Sequence, residues 1–96
     1  MSTPEGAIKA LICQYLKSNN IFHWVNQAGK IPGRKLIKTG VTDILGCYRG
    51  KMLAIEVKAP SGKLTDEQAE FIYAVRSNGG IAFVARSVED VKENLK

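Results

Sequence analysis

Ninety-six residues are expected to form one domain, 1–96, with room for a single modest core, so a second function would need a partner or a second copy. Hydrophobic residues make up 45% and charged residues 24%, the balance of a globular, soluble chain, and no apolar run approaches the ~20 residues that a membrane span requires. Fourteen Lys and Arg against nine Asp and Glu leave a formal charge of +5, which suits a polyanionic partner.

In chain order, Thr3-Pro4 offers a helix N-cap and first position, and Ile8, Leu11, Ile12, Tyr15 and Leu16 follow at helical spacing. That helix should end before Ser18-Asn19-Asn20, and Ile21 to Val25 reads as a strand. From Asn26 to Thr42 the chain carries Lys30, Arg34, Lys35 and Lys38 with no acid, interleaved with Gly29, Pro32, Gly33 and Gly40. Such a loop either faces solvent or contacts a phosphate backbone. Two Val-, Ile- and Leu-rich strands flank a turn at Tyr48-Arg49-Gly50-Lys51, and Pro60-Ser61-Gly62 breaks the exit of the second. A capping box from Thr65 to Gln68 opens a helix with Ile72 and Val75 on its stripe, closed by Gly79-Gly80. Ile81 to Ala85 reads as a fourth strand, and Ser87 caps a short last helix with Val88, Val91 and Leu95 inward.

Cys13 and Cys47 are far apart, with no Cys-x-x-Cys spacing and no His partner, so neither a zinc site nor a disulfide framework is expected. Met1-Ser-Thr-Pro-Glu does not resemble a secretory signal, and a cytoplasmic protein is expected, in the host cytoplasm if phage-encoded. His23 stands alone and reads as structural. Tyr15, Tyr48, Phe71, Tyr73 and Phe83 are expected in the core or its rim, because the aromatics lack the pattern of a stacking platform.

The chemistry concentrates in the hairpin. Asp43 opens its first strand, while Glu56 and Lys58, two residues apart near the end of the second, share one face and leave Leu53, Ile55 and Val57 on the other. An antiparallel hairpin brings Asp43 to that same end. Paired carboxylates repel unless a cation sits between them, and Mg²⁺ prefers such oxygen ligands together with substrate phosphates.

Gly40-Val41-Thr42-Asp43, then Ile55-Glu56-Val57-Lys58, then Gly62-Lys63-Leu64-Thr65 with Gln68, resembles the viral-type replication-repair nuclease (VRR-NUC) family of the PD-(D/E)XK superfamily. The match runs from about Glu5 to the last helix, and the superfamily's nominal Pro before the Asp is Thr42 here. The resemblance implies an α/β, restriction-endonuclease-like fold with an αβββαβ core, a mixed four-stranded sheet flanked by helices. It implies Mg²⁺ or Mn²⁺ held by Asp43, Glu56 and the Val57 carbonyl, with Lys58 orienting or deprotonating the nucleophile. A family glutamate on the first helix faces the metal, and Glu5 is the only acid before Asp43. Placed three residues before Ile8 and seven before Ile12, it falls on the buried face, although a first-turn Glu can also simply complement the helix dipole. Gln68 is a capping residue, a water-positioning residue, or both, and Lys63 is either a phosphate contact or a solvated lysine.

The expected function is a metal-dependent DNA endonuclease. Family members of this size resemble Holliday-junction resolvases of phages and bacteria, which implies branched DNA and a homodimer that places two symmetric nicks. The alternatives are a nickase or flap nuclease with little structural preference, and a catalytically silent DNA-binding module. A small interaction protein would leave the acidic cluster unexplained.

Overall fold

The structure, a computed structural model, describes residues 3–26 and 39–96. Among them the order is α1 (Pro4–Ser18), β1 (His23–Val25), β2 (Ile44–Tyr48), β3 (Lys51–Val57), α2 (Asp66–Ser77), β4 (Ile81–Ala85) and α3 (Val88–Asn94). The strands form one mixed sheet in the order β1-β2-β3-β4, antiparallel except for the parallel β3–β4 pair that α2 bridges. This is the αβββαβ architecture that the sequence implied. The expected N-caps are all made: Thr3, Thr65 and Ser87 each accept from a backbone N–H of their own first turn.

Strand alternation divides the core into two layers. Leu53, Ile55 and Val57 are fully buried on one face of β3, packed with Ile12 and Leu16 of α1 and with Val91 and Leu95 from α3 and its cap. Ala54 and Ala82 face the other way, where their small side chains admit Ile72 and Val75 of α2. The hairpin turn has positive φ at both Arg49 (51°) and Gly50 (81°), the I′ geometry whose twist matches that of the strands.

Two placements differ from the sequence reading. Leu11 is 55% exposed, since at about 100° per residue it lies about 120° from the midpoint of the Ile12 and Leu16 stripe. Tyr73 is 73% exposed on α2, whose covered stripe carries Ile72 and Val75 instead. His23 does serve structure, its Nδ1 donating to the Ile21 carbonyl at 2.8 Å. Cys13 and Cys47 are free thiols, and no helix among the described residues is long and apolar enough to cross a membrane.

Candidate metal and catalytic site

The β2–β3 register pairs Ile44 with Ile55, and one further step sets Asp43 opposite Glu56 where the ladder ends. Gly40, with φ of 79°, makes the approach to Asp43 possible: a Cβ there would overlap the Glu67 backbone at the start of α2. Thr42, in the place of the superfamily's Pro, is fully buried, and its hydroxyl donates to the Ile44 carbonyl at 3.1 Å. Asp43 is then fixed from the side, because its Oδ2 accepts from the Val57 N–H at 2.9 Å.

Glu56 is the centre of the cluster and only 2% exposed. Its Oε2 accepts from Gln68 Nε2 at 3.0 Å and lies 3.4 Å from Lys58 Nζ. Its Oε1 is buried and is reached by no N–H or O–H donor among the described residues. Burial, followed by the charge of Asp43 and a hydrogen bond with it, pushes the Glu56 carboxyl up to about 7, against the opposing pull of Lys58. Two carboxylates thus meet with Glu56 buried and, among the described residues, Lys58 as the cation in contact.

Gln68 completes the capping box and also reaches the acidic pair. Its Oε1 accepts from the Thr65 N–H at 2.9 Å and its own N–H donates to Thr65 Oγ1 at 3.1 Å, completing the capping box. The amide nitrogen left over is the one that reaches Glu56. A single side chain therefore ties the N-terminus of α2 to the acidic pair.

Glu5 comes close to this end of the sheet without joining the pair. It lines an open cleft of about 440 Å³ with Thr3, Gly6, Lys9 and Ala59, the residue after Lys58. Among the described residues no three His, Cys, Asp or Glu side chains gather tightly enough to hold a metal ion by themselves. Lys63 is exposed in the connection between β3 and α2. Lys30, Arg34, Lys35 and Lys38 lie outside the described residues.

Sequence reasoning missed Arg86. From the end of β4 its Nη1 donates to the carbonyls of Ala59 at 2.6 Å and Gly62 at 2.8 Å, with Pro60 at 3.3 Å. The segment that follows Lys58 is thereby clamped, and the Lys58 N–H is itself tied to the Ala85 carbonyl at 3.1 Å. An Arg that ends an apolar strand gives no sign, in sequence, of a return to a loop 24 to 27 positions earlier.

Comparison with known proteins gives the family and the fold. The VRR-NUC domain model matches residues 10–89. A solved structure described as a VRR_NUC domain protein superposes with a TM-score of 0.72 at 21% identity, over 97% of this chain and 85% of that one, a likeness of fold. No curated protein matches the chain. The match spans most of the sequence, from within α1 into α3, and contains the Asp43, Glu56, Lys58 and Gln68 cluster, so the chain belongs to the VRR-NUC domain family of nucleases.

Proposed function

We propose that the chain is a Mg²⁺- or Mn²⁺-dependent endodeoxyribonuclease that hydrolyses phosphodiester bonds in branched DNA such as four-way junctions. The observation that carries this reading is the pair of carboxylates, Asp43 against a buried Glu56 whose Oε1 is reached by no N–H or O–H donor among the described residues. An acceptor atom left bare in a nearly dry corner is costly in a merely structural role and is what a hard cation would satisfy. The donor set is all oxygen, as Mg²⁺ prefers: Asp43, Glu56 and the Val57 carbonyl, with Glu5 on the first turn of α1 outside the pair. When bound, such an ion supplies charge stabilisation at the scissile phosphate and a more acidic water.

The remaining work belongs to the chain. The Val57 N–H and Gln68 hold the two carboxylates in place before substrate arrives. Lys58, already against Glu56, is placed to donate to a phosphate oxygen or to orient the nucleophile. Phosphate contacts from Lys63 and from Lys30, Arg34, Lys35 and Lys38 would supply most of the affinity.

Action as a homodimer follows from the same reading. One chain offers one site, whereas a junction presents two equivalent strands related by a two-fold axis. The outer edges of β1 and β4 have no strand partner among the described residues, which supports an isologous contact.

A cleavage panel of single-stranded, duplex, flap and four-way-junction DNA, with and without Mg²⁺ or Mn²⁺, tests the proposal. Cleavage that requires the metal and falls by at least about 10²-fold in Asp43→Asn, Glu56→Gln and Lys58→Ala is expected. Near-wild-type cleavage by the carboxylate variants would remove the site assignment. Metal-independent binding without cleavage would leave a silent DNA-binding module.

A further inference from the structure

The sheet face that carries the acids also carries aromatic side chains that no helix among the described residues covers. Backbone pairing runs from Cys47 N–H to the Phe22 carbonyl at 3.1 Å, through Trp24 opposite Leu45, to Asn26 N–H on the Asp43 carbonyl at 2.7 Å. By strand alternation Phe22, Trp24 and Asn26 therefore share a face with Cys47, Leu45 and Asp43, and through the next pairing with Met52, Ala54 and Glu56. Helix α2 closes over the Ala54 and Ala82 part of that face. Among the described residues nothing closes over the β1 part, where Phe22 is 67% and Trp24 48% exposed, with their rings paired at 5.7 Å and tilted by 57°. Met52 and Cys47 are exposed beside them.

Trp is seldom left on a surface when it only serves the core, and two exposed rings in tilted contact form an apolar patch in which Phe22 braces the Trp24 ring. Their position decides what fits. Trp24 is a diagonal cross-strand neighbour of Asp43, about 7–8 Å away on the same face. A DNA strand with a phosphate at Asp43 and Glu56 would carry a base within reach of the Trp24 ring, and every base offers a π-face when it is not paired in a duplex. The charge is also complementary, since the twelve residues after Asn26 contain four cations and no acid in a chain of net +5.

We propose that Trp24, backed by Phe22, is a stacking platform for an unpaired base adjacent to the scissile phosphate, so that the substrate is DNA with unpaired nucleotides beside the cut. The inference rests on the nuclease reading for where the phosphate lies, and it makes the platform the source of structure selectivity. A fully stacked duplex keeps its bases from Trp24; a flap, a loop or an opened junction does not.

Trp24 is the only tryptophan in the chain, so its fluorescence reports the platform directly. The test titrates wild-type protein in EDTA with a flap oligonucleotide and with a blunt duplex of equal length, following binding by anisotropy of a labelled DNA strand and stacking by quenching of Trp24. Saturable quenching with the flap and little with the duplex is expected. Trp24→Ala should weaken flap binding by roughly 10-fold, and Trp24→Phe by much less, since the base–aromatic stack is removed in the first and kept in the second. Saturated flap binding with unchanged Trp24 emission would overturn the proposal. So would an emission shift that follows protein concentration without DNA, which would show a second copy on this face. These readouts need no cleavage: quenching in a protein that cuts nothing would sink the nuclease reading and keep the platform, whereas metal-dependent cleavage without quenching would do the reverse.

Discussion

Glu56 is pulled between two states. Its carboxyl is raised from 4.5 to about 7, by burial first and by Asp43 second. Between those pH values the folded protein holds a proton that the unfolded chain has released, so stability falls as pH rises from about 4.5 to about 7 and is level above that. For a side chain this deeply buried the loss is on the order of 3 kcal/mol. A divalent cation between the carboxylates removes the cause of the loss. Thermal melts should therefore show metal-free protein less stable at pH 8 than at pH 5.5, with Mg²⁺ raising the midpoint more at the higher pH. Glu56→Gln should flatten both dependences; a pH slope that persists in this variant would place its origin elsewhere. Gln68 allows a finer separation at the same scale. Gln68→Glu retains an acceptor for the Thr65 N–H but replaces the donor to Glu56 with a third carboxylate, so cleavage should drop roughly 10- to 100-fold while the helix cap persists. Gln68→Ala should also lose the acceptor for the Thr65 N–H, at a further cost of about 1 kcal/mol in melts, while the N–H at position 68 still bonds Thr65 Oγ1.

At the scale of elements, the loops set the site as much as the strands do. Gly40→Ala should destabilise the fold by about 2 kcal/mol or more, since the new methyl meets the Glu67 backbone while φ stays at 79°. Denaturant unfolding measures this. Arg86→Ala frees the carbonyls of Ala59 and Gly62 and should lower cleavage through the mobility of Lys58. Arg86→Lys should recover part of the loss at most, because an ammonium lacks the flat fork that spans several carbonyls. Much of this architecture could be read from sequence. Alternation put Glu56 and Lys58 on one face, and capping boxes and turn residues fixed α2 and the hairpin, because each is a short-range rule. Arg86, the exposed Leu11 and Tyr73, and the open aromatic pair were not legible. Each depends on which surface a distant element covers, and in a sheet this small α2 covers only part of one face.

For the whole molecule, the reading of the chain as a DNA enzyme predicts a steep salt dependence of binding. Replacing Lys30, Arg34, Lys35 and Lys38 with Ala should lower the log–log slope by roughly 0.9 for each duplex phosphate that is no longer neutralised. An unchanged slope would show that these cations do not touch the backbone. Light scattering at micromolar protein, read alongside the nick pattern on a junction, checks the dimer, and a fully active monomer would leave a solitary nickase. The hairpin turn at Arg49 and Gly50 has a practical consequence. The seven residues of β3 run from this turn to the acidic end, a span of about 20 Å, and a Cβ added at Gly50 meets nothing within 4 Å. An insertion or a fluorophore at the tip would thus sit well away from the chemistry, on a rigid arm that moves with the site. In the proposed dimer, two copies labelled there would report the distance between the two candidate sites by energy transfer, on DNA and off it.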